Sequence, residues 1–270
     1  MPIGVFDSGL GGLSILAALE KKVPDQAFIY YGDNANAPYG PKSAEEIFEL
    51  TTQAVQQLFD LGCDLIIIAC NTAASTSLHR LQVDWLPKGK RRVLGVFVPM
   101  IENLTRRNWG DNAPPTHTGL ANVALFATQA TIASGAFPRE LKFRARDVAV
   151  EGQACPNLVD AIELQDDARA QVLVDKYVAD LLTRLPKPQA AVLGCTHFPL
   201  VQHMFAAALP PETRLISQPD IVADSLADYI RRHPEFAETG GTQYLTSGNP
   251  AHVSAGATRF LGHVAEFAAI

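Results

Sequence analysis

Leu65-Ile66-Ile67-Ile68-Ala69-Cys70-Asn71-Thr72 and Ala190-Ala191-Val192-Leu193-Gly194-Cys195-Thr196-His197 have the same construction. Each is a short apolar run that stops on a thiol followed by small polar residues. Unbroken apolar runs, without polar alternation, suit parallel strands covered on both faces. The small polar residues can open a helix, whose first backbone N–H groups favour an anion. The two thiols lie 125 residues apart. A second pair of strand ends, at Asp7-Ser8-Gly9 and Ala127-Thr128-Gln129, repeats with an offset of 121 residues from Asp7 to Thr128. Two nearly equal offsets predict two similar halves, with Cys70 and Cys195 as pseudo-symmetric partners.

Working outward, strands are expected at 3–6, 28–31, 65–69, 93–98, 123–127, 148–150, 190–193 and 215–216. Helical signals separate them. Ser43 with Glu46 makes a capping box before Ile47, Leu50, Ala54, Val55 and Leu58. A helix is expected from about Asp167 to Leu185, stopped by Pro186. Another is capped by Asp220, with Arg231 and Arg232 at its end, and a third starts at Asn249-Pro250. The segment from Trp109 to Thr118 reads as a surface loop. Alternating β and α elements make the chain an α/β protein with mostly parallel sheets. In such sheets ligands bind beyond the carboxyl ends of the strands, where Asp7, Cys70, Thr128 and Cys195 all fall.

Composition removes several classes. The 270 residues, 47% hydrophobic and 19% charged, suffice for a core without disulfides. No apolar run is long enough to cross a bilayer, and Met-Pro-Ile-Gly-Val-Phe-Asp has no signal-peptide character, so a cytoplasmic protein is expected. A net charge of −6 without a Lys/Arg block argues against nucleic-acid binding. Cys63, Cys70, Cys155 and Cys195 form no CxxC pair. Cys63 and Cys155 read as small buried hydrophobes.

Other chemistries fit poorly. Gly9-Leu10-Gly11-Gly12-Leu13-Ser14, with Asp33 after the next strand, is a partial dinucleotide fingerprint. Ser14 replaces its third glycine, and Asp7 would set a carboxylate beside the pyrophosphate. A cysteine hydrolase built on Cys195 and His197 leaves Cys70 unexplained. None of the lysines has the setting of a Schiff-base residue. No complete metal-ligand set is present, so His79, His117, His203, His233, His252 and His263 read as structural or surface residues.

The ordered series Asp7-Ser8-Gly9-Leu10-Gly11-Gly12, Pro38-Tyr39-Gly40, Ala69-Cys70-Asn71-Thr72-Ala73, Ala127-Thr128-Gln129-Ala130-Thr131, Ala154-Cys155-Pro156, Ile162-Glu163, Gly194-Cys195-Thr196-His197-Phe198-Pro199-Leu200 and Thr246-Ser247-Gly248-Asn249-Pro250 resembles the glutamate racemase family along essentially the whole chain. The resemblance implies inversion of the α-carbon of glutamate without cofactor or metal. Cys70 would act on D-glutamate and Cys195 on L-glutamate, with Asp7 as partner of Cys70, His197 as partner of Cys195, and Glu163 as a further acid. Ser8, Tyr39, Gly40, Asn71, Thr72, Thr128, Thr196 and His197, with Asp7, would hold the substrate. It further implies a cleft between two pseudo-symmetric α/β domains (1–96 with 212–270, and 97–211), a homodimer, and supply of D-glutamate to peptidoglycan. The alternatives are an aspartate or hydantoin racemase, or a non-catalytic partner of DNA gyrase. The sequence departs from the family pattern at Asn34-Ala35-Asn36-Ala37, Ser217-Gln218 and Asp160.

Overall fold

Alternate residues of each apolar run go to opposite faces of a sheet, and both faces are covered. In the computed structural model, which describes residues 1–86, 89–107 and 113–270, the strands form two all-parallel sheets. The first contains β1 (Ile3–Asp7), β2 (Phe28–Gly32), β3 (Leu65–Ile68) and β4 (Arg92–Gly95). The second contains β5 (Asn122–Ala127), β6 (Ala149–Ala154), β7 (Ala190–Gly194) and β8 (Arg214–Ile216). The chain then returns to the first sheet with β9 (Thr242–Thr246) and β10 (Phe267–Ala269). Leu65 and Ile67 enter one core layer while Ile66 and Ile68 enter the other. In β7, Ala191 and Leu193 pack on one face and Ala190 and Val192 on the opposite one. This is why these runs carry no polar alternation.

The strand orders are β10-β9-β2-β1-β3-β4 and β6-β5-β7-β8. Four strands of each sheet therefore repeat one topology, with β1 matching β5 and β3 matching β7. In each sheet the chain leaves the central strand to one side and comes back on the other. The crevice of each half thus opens at the carboxyl ends of β1 and β3, or of β5 and β7. The offsets in the sequence reported this repeat.

Local chemistry sets the element ends. Ser43 accepts a hydrogen bond from Glu46 N at 3.2 Å and caps the helix Ala44–Asp60, although the Glu46 side chain turns to Lys42. Asn249 caps the helix Pro250–Leu261 in the same way, accepting from His252 N at 3.1 Å. Asp166 caps the helix Asp167–Arg184, which ends before Pro186.

Several expectations are corrected. The strand expected over 93–98 stops at Gly95, and Phe97–Thr105 is helical. Pro99 is tolerated in the first turn of a helix but would interrupt a paired strand. The helix Gln218–Arg232 starts before Asp220, which lies in its first turn and does not cap it. Strands β9 and β10 were not foreseen, because Thr-Gln-Tyr-Leu-Thr is half polar and Phe-Ala-Ala is very short. The return to the first sheet, expected at 212, comes after Ile216, since β8 pairs in parallel with β7. Of the expected loop, residues 109–112 lie outside the described residues. Residues 113–118 hold no strand beyond the bridge of Thr116 with Ala145. Among the described residues no helix is long and apolar enough to cross a membrane.

Cys63 is fully buried in the core of the first half, and burial pushes its thiol up to about 12. As a packing residue, its replacement in Cys63→Ala is expected to lower the unfolding free energy by about 1 kcal/mol, read from denaturant titration.

Candidate active site in the cleft between the two sheets

The carboxyl ends of β1, β3, β5 and β7 face one cavity of about 340 Å³. This lies within the range of small-molecule sites. Every residue that the resemblance assigns to the site lines it except Asp7. Asp7 ends β1 and is 1% exposed, beneath the cavity wall. Among the described residues, no lysine or arginine lines it.

Cys70 follows β3 and stands at the N-cap of the helix Asn71–Arg80, where its Sγ accepts from Ala73 N at 3.5 Å. The Ser8 hydroxyl stands 3.2 Å from the same sulfur, and either can donate. Burial, reinforced by the negative charge of Asp7, pushes the Cys70 thiol up to about 12. It therefore rests protonated.

Asp7, the expected partner of Cys70, accepts from Gly9 N at 2.9 Å and from Thr196 Oγ1 at 3.4 Å. It acts on Cys70 through charge, and Ser8 supplies the contact. Burial raises the Asp7 carboxyl, against the opposing pull of His197 and of the Gly9 and Gly12 amides.

On the other wall, Cys195 follows β7. The Nδ1 of His197 lies 3.9 Å from Cys195 Sγ, and its Nε2 lies 2.7 Å from Glu163 Oε1. Burial by itself would lower the imidazole pKa. The hydrogen bonds and negative charges of Cys195 and Glu163 outweigh it and raise His197 from 6.5 to about 10. Glu163 is partly exposed, its side chain at 41%; desolvation raises its carboxyl, but the bond and charge of His197 outweigh it and hold the carboxyl below the usual range. The charged form of His197 is thus favoured, with Nδ1 turned to Cys195 and Nε2 to Glu163. The residues after Cys195 form a 3-10 turn (Phe198–Val201) before the helix Gln202–Ala208.

The glycine-rich turn has a use unlike the dinucleotide one. A Cβ on Gly12 would stand 2.4 Å from Asp7 Cβ, and a Cβ on Gly11 would stand 2.3 Å from Thr196 Oγ1. The glycines let the turn fold over Asp7 and meet the other half. Asp33 accepts from the Tyr39 hydroxyl at 2.6 Å, and Tyr39 lines the cavity. Ser247 and Asn36 donate to Asp33 as well. Thr72 and Thr128, one from each half, lie 2.8 Å apart across the cleft. Gly40 lines the cavity next to Thr128.

Sequence reasoning missed Asn34, Gly248, Asn249 and His252, which also line the cavity. His252 had been read as a surface residue; it is exposed but lies at this cavity. The tail motif containing Gly248 and Asn249 was a signal. Its use depends on β9 pairing beside β2, which brings it next to Asn34. Cys155 is buried among apolar residues of the second half.

A histidine whose pKa rises on folding stabilises the fold below its unfolded value. That contribution disappears as pH climbs through its folded value. The window for His197 runs from 6.5 to about 10. In Glu163→Gln the fall in unfolding free energy across this window is expected to be smaller than in the parent chain. Denaturant titrations of both proteins across the window measure it, and their difference cancels the titration of the thiols.

Comparison with known proteins agrees with this geometry. Residues 12–226 match the family described as Asp/Glu/Hydantoin racemase. A curated glutamate racemase from Paracoccus denitrificans is 55% identical over 268 residues, covering 99% of each chain. The solved glutamate racemase from Thermus thermophilus, in complex with beta-chloro-D-alanine, is 33% identical with a TM-score of 0.81, over 100% of this chain and 96% of that one. The solved enzyme from Francisella tularensis, in complex with D-glutamate, is 26% identical with a TM-score of 0.85, over 98% and 95%. With the family match running from the glycine-rich turn past the second thiol, the chain belongs to the Asp/Glu/hydantoin racemase family.

Proposed function

We propose that the protein is a glutamate racemase that uses two thiols and no cofactor. The observation that carries this reading is the placing of Cys70 and Cys195, from corresponding strand ends, on one small cavity with a different proton-handling partner each. The Paracoccus relative supports glutamate as the substrate, as does the Francisella structure with D-glutamate.

Inversion at a carbon needs a base on one face and an acid on the other. With L-glutamate, the Cys195 thiolate beside the His197 imidazolium takes the α-proton. The resulting carbanion receives a proton from the Cys70 thiol on the opposite face. The reverse direction starts from a Cys70 thiolate and a protonated Cys195. Buried Cys70, held as a thiol, suits the acid of the first direction. His197, bonded to Glu163, can move the proton that restores the starting state. The assignment of Cys70 to the D-enantiomer and Cys195 to the L-enantiomer follows the family resemblance. Substrate carboxylates are held by the helix start at Asn71 and Thr72 and by Ser8, Thr128 and Thr196, in keeping with a cavity without lysine or arginine. We take the two sheets as the cores of two domains that share the cleft. The enzyme acts in the cytoplasm as a homodimer and supplies D-glutamate for peptidoglycan.

Incubation with either enantiomer in D2O, without added cofactor, is expected to give racemic glutamate deuterated at Cα. Because mirror images are equally stable, kcat/KM must be equal in the two directions. Absence of Cα exchange with both enantiomers would sink the reading. Cys70→Ser and Cys195→Ser are each expected to lower racemisation at least about 1,000-fold, and His197→Asn about 100-fold, by polarimetric initial rates. Near-normal turnover in either serine variant would contradict the two-thiol mechanism. Sedimentation is expected to give twice the mass of 29.1 kDa.

A further inference from the structure

Behind the wall of the cleft, the side-chain amides of Asn71 and Gln218 close a reciprocal pair. Asn71 Nδ2 donates to Gln218 Oε1 at 2.7 Å, and Gln218 Nε2 donates to Asn71 Oδ1 at 2.7 Å. The two residues are 2% and 0% exposed. Asn71 opens the helix after β3 and lines the cavity; Gln218 does not line it. Gln218 begins the helix Gln218–Arg232, where the chain leaves the second sheet after β8.

We propose that Gln218 is a positioning residue, which clasps the Asn71 amide and fixes its plane at the cavity wall for contact with the substrate. This rests on the reading of the cleft as a glutamate site. An amide has two N–H groups and two acceptor lone pairs, and the clasp uses one of each on Asn71. What remains is one donor and one acceptor, on opposite flanks of the amide, and Asn71 lines the cavity. Without the clasp, an asparagine in the first turn of a helix can fold back on nearby backbone groups. The clasp removes that freedom before substrate arrives, so the ordering cost is not charged to binding. It also ties the start of a site helix in the first half to the crossover from the second.

The test uses the full chain and glutamate of both configurations. Gln218→Met keeps the bulk of the side chain and removes both hydrogen bonds. KM for both enantiomers is expected to rise about tenfold, with kcat changed less than about threefold, because a contact made equally in ground and transition states appears in KM. The exchange Asn71→Gln with Gln218→Asn conserves the summed length of the two side chains. It is expected to recover thermal stability while KM stays raised, since the amide plane has shifted by one methylene toward the cavity. Wild-type KM in Gln218→Met would overturn the inference, as would the exchanged pair recovering both stability and KM. If Gln218→Met does not fold, the exchanged pair decides alone. A parent protein inert toward glutamate would overturn the functional reading and this inference together; an active parent with an unaffected Gln218→Met would overturn this inference only.

Discussion

Gly11 has no Cβ, and one placed there would stand 2.3 Å from Thr196 Oγ1 and 2.4 Å from His197 Nδ1. The turn after β1 in one half therefore lies directly on the residues after the second thiol in the other. Ser14 Oγ closes the same seam, donating to Thr196 O at 2.8 Å, and Thr196 in turn donates to Asp7. Everything chemical in the cleft hangs on this contact. It fixes the imidazole of His197 from one side while the ring edge of Phe260 packs against it from another. It also buries Asp7, whose charge raises the Cys70 thiol and whose own carboxyl feels the pull of His197. A side chain at Gly11 would have to push the halves apart and would carry His197 away from Cys195.

The repeat of fold does not extend to the electrostatics. Cys70 sits among neutral donors, a serine hydroxyl and a backbone amide, with a buried carboxylate behind. Cys195 has an imidazolium at its side, held by Glu163. Two chemically equal bases would share one resting charge. This cleft instead holds a reluctant acid on one wall and an ion pair on the other, so the thiols differ before any ligand enters. The absence of lysine and arginine from the lining has a related consequence. A fixed cation near the α-carbon would pair with the carbanion on one face only, whereas helix-start amides hold the carboxylates without favouring either face.

Much of this was legible in the sequence because it was local. Unbroken apolar runs reported buried parallel strands, and a thiol ending two of them reported equivalent places in two halves. The single-residue features that depend on distant pairing were not legible. The role of the tail near Asn249 needs β9 to lie beside β2, and the half-polar run at Thr242 to Thr246 gives little sign of that strand. The glycine-rich turn matched a nucleotide fingerprint because both uses require absent side chains; only the neighbour of the missing Cβ separates them. The place of Asp7 beside Cys70 came from the family resemblance; that the hydrogen bond to the Cys70 sulfur comes from the next residue, Ser8, is seen only in the structure.

The most direct test of the central claim, that each half contributes one thiol to opposite faces of one carbon, is a crystal structure with D- or L-glutamate bound. The account predicts the α-carbon between the sulfurs of Cys70 and Cys195, about 3.5 Å from each and with its two faces turned toward them. An α-carbon with both sulfurs on the same face, or with one of them several ångströms beyond reach, would contradict it.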